Sequence, residues 1–322
     1  MRLRTPLCDL LGIEVPILLA GMGGVAYADV CAAVSQAGGF GTLGMASESI
    51  EGIRREMRRV RELTDKPFGV DLLAALPEQM LSAVDIVIEE GARAFIAGLG
   101  VPGPVVERCH DAGLLVMSLC GKVRHALAAE AAGCDVVVAQ GTEAGGHTGQ
   151  VAGMALIPQI VDAVGIPVVA AGSIVDGRGL AAALAFGAQG VWMGTRFIAS
   201  HEARAGERYK KRITEIREED TVVSRCYSGK PMRVIRNAYV DGWERRPAEI
   251  LPFPAQMAVS QRNEVLAPLR GPDALLDVDR DCMPCGQGAG GIREILPCRE
   301  IVERTVAEAR EVMERLGALA RE

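Results

Sequence analysis

The stretch "AQGTEAGGHTGQ", residues 139–150, sets Glu143 and His147 four positions apart among glycines. An imidazole titrates near neutrality, so His147 is the candidate acid/base: neutral, it can accept a proton and later return it. Glycine has no Cβ and lets backbone come close to a ligand, which suits a flat group lying over such a loop. Glu143 suits an anchor for the loop and a chemical role equally well. The other histidines carry less signal. His110 and His125 fall in helical patterns, and His201 opens a charged segment. Three more glycine turns carry candidates for ligand contact. "AGMGG" supplies Gly21, Met22 and Gly23, "AGSIVDGRG" supplies Gly172 and Ser173, and "MGTRF" supplies Gly194 and Thr195.

These turns can serve one site only if the chain brings them to one face. Eight short apolar runs alternate with helical patterns, at 16–20, 40–44, 67–73, 93–98, 114–119, 135–140, 167–172 and 190–194. The runs are continuous rather than alternating, as in parallel strands covered on both faces. Several helices end at glycine, the usual C-terminal stop. The helix spanning "SESIEGIRREMRRVRELTD" has Ser47 as its predicted cap. Eight β/α units in this length predict an α/β fold, a TIM (β/α)8 barrel. A doubly wound sheet is the alternative. It usually shows G-x-G-x-x-G after its first strand, and "AGMGGVAYAD" lacks that spacing.

The pattern changes near residue 200. The expected organisation is a barrel over 1–200, an appended cap or lid over its mouth at 201–290, and a final helix at 291–322 packing back on the barrel. "HEARAGERYKKRITEIREED" reads as a charged surface helix.

In a TIM barrel the strand C-termini form the site, and the loops after the seventh and eighth strands hold phosphate. Gly172, Ser173, Gly194 and Thr195 are therefore the phosphate candidates. Gln140, at the tip of the sixth strand, can bond the edge of a ring across the mouth. Flavin mononucleotide satisfies both ends of such a site; a nucleotide substrate does too.

Composition narrows the rest. The 322 residues are 49% hydrophobic, with a formal net charge of −6 and a pI near 5.5. This is not the basic footprint of a nucleic-acid binder. Asp9, Glu14 and Pro16 interrupt the early apolar run, so it lacks a signal-peptide core. No long apolar span predicts a membrane helix, and a cytoplasmic protein is expected. The nine cysteines read as reduced thiols. Cys282 and Cys285 form a C-x-x-C, but Cys298 is the one further cysteine after them and no histidine is near, so no metal site is expected.

Taken together, "AGMGGVAYADVCAAVSQAGGFGTLG", "AQGTEAGGHTG" and "PVVAAGSIVDGRGLAAALAFGAQGVWMGTRF" resemble the nitronate monooxygenase family, also described as 2-nitropropane dioxygenase-like. The resemblance covers about residues 5–200, and "PCGQGAGGIREILP" extends it towards the C-terminus. It implies an FMN-dependent oxidoreductase that oxidises an alkyl nitronate with O2, with His147 as acid/base. It implies flavin contacts at Gly21, Met22, Gln140, Gly145, Gly146, Gly172, Gly194 and Thr195, with Gln287 and Gly288 closing over the ring.

Relatives in the same group imply an alternative, an FMN-dependent NAD(P)H:quinone or enoyl/acyl-thioester (CoA or ACP) oxidoreductase. A small-molecule substrate is expected, with NAD(P)H or an acyl-CoA as candidate partners and a homodimer as a candidate assembly. The basic stretch Tyr209–Arg212, or Arg233 and Arg236, would then meet a CoA phosphate. Three positions depart from the family pattern. Asp71 stands where Asn is common, and an ionised carboxylate there donates no hydrogen bond to the flavin. Leu119 stands where some subgroups carry Lys. Ala171-Gly172-Ser173 replaces the usual Gly-Gly.

Overall fold

A computed structural model describes residues 3–75 and 77–321. In chain order its strands are β1 (Ile17–Leu19), β2 (Gly41–Gly44), β3 (Phe68–Leu73), β4 (Ala94–Gly98), β5 (Leu115–Cys120) and β6 (Val136–Gln140). Then come β7 (Gly146–His147), β8 (Val168–Ala171), β9 (Gly190–Met193), β10 (Thr221–Ser224) and β11 (Met232–Ile235). Eight of them form one parallel sheet in the order β1-β9-β8-β6-β5-β4-β3-β2. Its two ends meet. Leu18 bridges Phe40, with Leu19 N donating to Phe40 O and Phe40 N donating to Ile17 O, each at 2.9 Å. The ring therefore has no open edge.

The expected TIM barrel is the observed fold; seven of the eight apolar runs contain one of its strands whole, and the fifth strand ends one residue beyond its run, at Cys120. The continuous runs have a physical cause. Along β6, Val136 and Val138 point into the barrel beside Leu18, Phe40, Met117 and Trp192, whereas Val137 and Ala139 pack outward against the helices. Leu7 and Leu11 of the short helix Pro6–Leu11 join that inner core.

Two local expectations are corrected. Ser49, not Ser47, caps the helix Ile50–Leu63, its side chain accepting from Gly52 N at 3.1 Å. The charged segment holds only the helix Glu207–Glu215. His201 lies outside it, and Tyr209 and Lys210 are buried. Residues 221–290 include the helices Ala238–Glu244 and Ala255–Arg262 as well as strands and loops.

Those residues build a small core of their own around Tyr227, Val234, Val240 and Val265. Their three-stranded antiparallel sheet, β10-β11-β7, takes its last strand from the loop after β6. The final helix Cys298–Leu319 packs on the barrel helix Gly177–Ala185. A Cβ on Gly177 would stand 2.3 Å from Ala309 N and 2.5 Å from Thr305 O, so only glycine lets the two helices approach this closely.

Candidate functional site

A cavity of about 720 Å³ opens at the C-terminal ends of the barrel strands. That volume lies within the usual range for small-molecule sites. Gly21, Met22, Gly23, Asp71, Gln140, Gly145, Gly146, His147, Gly172, Ser173, Gly194 and Thr195 all line it. The turns that the sequence scatters over 175 positions thus share one pocket, because each follows a parallel strand.

His147 sits on β7, half buried, with its Nε2 2.8 Å from Ser228 Oγ. Its main-chain oxygen accepts from Gln140 Nε2 at 2.7 Å. β7 pairs with β11 in the register His147↔Met232. Burial pushes the imidazole down to about 4, and the nearby Lys230 adds to the shift. His147 is therefore neutral at pH 7 and ready to accept a proton.

The sign follows for activity. Protonation removes the base only near pH 4, where an unshifted imidazole would lose it near 6.5. The acid limb of kcat/KM that belongs to this group is expected well below pH 6.5. A pH profile measured with His147→Gln as the reference checks this, and an acid limb at the ordinary histidine position would contradict it.

Glu143 is an anchor. Both its carboxylate oxygens accept from Gly153 N, at 2.9 and 3.0 Å, at the start of the helix Gly153–Ala163. Gln140 spends its amide nitrogen on the His147 loop, which leaves Oε1 for a ligand. The loop after β8 turns at Gly172, with φ +116°, and Ser173, with φ +53°. The Ser173 hydroxyl donates to Glu143 O and accepts from Gly288 N, both at 2.8 Å. Thr195 Oγ1 accepts from Gly286 N at 3.0 Å. These hydroxyls hold the late loop, so an anion at these turns would be met by backbone N–H groups.

Gln287 and Gly288 do not line the cavity. They lie behind its wall, where Gln287 N donates to Glu143 O at 3.0 Å, and so they brace the glycine loop from outside.

Asp71 is buried, and burial alone holds its carboxyl well above the usual range. Burial thus favours the neutral carboxyl, which can donate where the ionised form cannot. Leu119 lines the cavity, and so does Lys122 just beyond the end of β5. The basic residues expected to meet a CoA phosphate include three with partners within the protein. Lys210 Nζ donates to His201 O, Arg233 donates to Thr142 O and Thr221 Oγ1, and Arg236 pairs with Asp241.

The structure adds wall residues the sequence did not single out, Ser228, Lys230, Tyr227 and Lys122, and places on the wall Tyr209 and also His125, which the sequence reading had set aside. Only the two lysines carried a readable signal, as isolated cations beside turns. Cys282 also lines the cavity, and both C-x-x-C thiols are free, buried and pushed up by burial, Cys285 to about 12. Among the described residues, no His, Cys, Asp and Glu cluster is arranged to hold a metal, and no helix is long and apolar enough to cross a membrane.

Fold and site together define a (β/α)8-barrel enzyme with a neutral histidine over a glycine-lined pocket. The chain belongs to the nitronate monooxygenase family, whose model matches residues 4–308, and it is an oxidoreductase of that family. It is 36% identical over 302 residues to a probable nitronate monooxygenase of Staphylococcus saprophyticus, covering 80% of this chain and 85% of that protein. It is 41% identical over 247 residues to the (3aS,4S,5R,7aS)-5-hydroxy-7a-methyl-1-oxo-octahydro-1H-indene-4-carboxyl-CoA dehydrogenase of Mycobacterium tuberculosis, covering 76% and 69%. Among solved structures it is similar to FabK from Thermotoga maritima, with TM-score 0.88, 35% identity and coverage of 98% and 99%.

Proposed function

We propose that this chain is an FMN-dependent oxidoreductase in which neutral His147 takes a proton from a carbon acid. The carrying observation is His147 itself, uncharged, bonded to Ser228 and facing a cavity walled by glycine turns. The residues present suit FMN. Gly21, Gly44, Gly145, Gly146, Gly172 and Gly194 line the cavity without side chains, which leaves room for a planar ring. The turns at Gly172–Ser173 and Gly194–Thr195 would hold the phosphate through main-chain N–H groups. FMN, when bound, supplies a two-electron sink. The protein positions the substrate, excludes water and holds the abstracted proton on the imidazole.

A nitroalkane that gives His147 its α-proton and is oxidised as the resulting alkyl nitronate, with O2 as acceptor, is the reading that family membership supports. A second reading is favoured by the outer wall. Lys122 and Lys230 line the cavity together with apolar Met232, Met257, Leu266 and Leu269, a combination that suits an acyl chain on a phosphorylated thioester carrier. The test is anaerobic mixing of the FMN-loaded protein with a nitronate, NADH, NADPH or an acyl-CoA. Bleaching by nitronate alone supports the first reading. Bleaching by a nicotinamide or an acyl-CoA moves the assignment to the second, and a protein that cannot be loaded with FMN sinks both.

A further inference from the structure

We infer that the Asp71 side chain is a proton-bearing hydrogen-bond donor for the ligand in the barrel mouth, an acceptor atom of the flavin ring, an inference that rests on the FMN reading above. Asp71 lies on β3, in register with Gly44 on β2 and Ile96 on β4, and only 8% of it is exposed. Its main chain is used, since Met45 N donates to Asp71 O at 3.0 Å. Among the described residues its carboxyl has no hydrogen bond and no ion pair. Gly21 makes room for it. A Cβ on Gly21 would stand 2.3 Å from Oδ2, and one on Gly98 would stand 3.5 Å from Oδ1. The side on which it meets no protein partner is the cavity.

A carboxylate so placed, without a partner, is costly, and the group keeps its proton instead. The surroundings offer nothing to reverse this. The turn after β1 and the tips of β2 and β4 bring no titratable group against it. On the cavity walls the titratable or charged groups are Cys120, Lys122, His125, His147, Tyr209, Tyr227, Lys230 and Cys282. None acts on Asp71, whose only perturbation is desolvation. The retained O–H then faces the cavity with no acceptor from the protein, and a bound ligand would supply one. A flavin ring presents carbonyl and ring-nitrogen acceptors along its edge.

The experiment measures FMN dissociation constants by fluorescence quenching between about pH 5 and about pH 10, a span covering carboxyls raised by burial. It uses wild type, Asp71→Asn and Asp71→Ala, with circular dichroism to confirm folding. Asn is neutral and keeps a donor at every pH, so its profile carries the titrations of FMN itself, and the wild-type-to-Asn ratio isolates Asp71. The expected result is near-equal affinity for wild type and Asn at the acid end. Wild type then weakens relative to Asn as pH rises and the carboxyl ionises, while Ala is weaker by about tenfold throughout. A constant wild-type-to-Asn ratio across the span overturns the inference, as does an Asn variant as weak as Ala. Failure of wild type to bind FMN at any pH is a separate outcome, and it overturns the FMN reading itself.

Discussion

Replacing His147 with alanine is expected to lower kcat by about 10²- to 10⁴-fold while leaving the folded protein able to take up FMN. The range is that of a lost general base. Retention of structure follows from which atoms of His147 hold the loop. Its carbonyl accepts from Gln140, and its backbone pairs with Met232. Alanine keeps both. The imidazole itself touches the protein through one hydrogen bond, to Ser228, whose hydroxyl retains contacts with Lys230 N and O. Because the ring is neutral, its removal takes no charge from the site. Steady-state kinetics with the flavin content counted per protein separates the two effects. Full kcat in a flavin-loaded His147→Ala protein would remove the histidine from the chemistry. Equal loss of flavin and activity would show a binding role instead.

Gly44→Ala is expected to cost about 3 kcal/mol of apoprotein stability, the upper range for overpacking, and to abolish stable FMN binding. Gly44 ends β2 at the barrel mouth and is fully enclosed. A Cβ there would stand 2.3 Å from Met22 N and 2.5 Å from Met22 C. Both are backbone atoms of the turn Gly21–Gly24, which cannot rotate aside as a side chain would. Gly44 N is also fixed, donating to Ala26 O at 2.8 Å. The clash is therefore relieved only by pushing the first glycine turn into the ring's space. Gly103→Ala is the control, since nothing lies within 4 Å of its Cβ position. Urea titration of both apoproteins and retained flavin after desalting check the pair. A Gly44→Ala protein matching the control in both would refute the claim.

The barrel was legible because its strands are covered on two faces, and that condition writes itself as unbroken apolar runs. The glycine turns were legible because close approach of backbone leaves few residue choices. What escaped the sequence is what depends on distant partners. Lys210 is buried although its neighbours are charged, since its stem packs inward while the ammonium reaches His201 O. β7 is two residues long and exists only by pairing with a segment 85 positions later, so no local pattern announces it. Ser228 meets His147 for the same reason. The choice between Ser47 and Ser49 turned on one hydroxyl's distance to Gly52 N, which residue types do not encode. Asp71 was visible as a residue but the upward push on its carboxyl was not, because that follows from enclosure rather than from identity.

β7 belongs to the barrel by chain order and to the β10–β11 sheet by hydrogen bonding, with Thr148 N donating to Pro231 O at 3.2 Å just beyond it. His147 is thus latched by a sheet that stands outside the eight-stranded ring. Sub-global opening of that small sheet has its own free energy, below that of global unfolding. Each such event disarms the base while the eight-stranded ring stays intact. The exchange rate of the Thr148 amide therefore reports the fraction of time the enzyme spends unarmed, a quantity that a melting temperature for the whole chain does not contain.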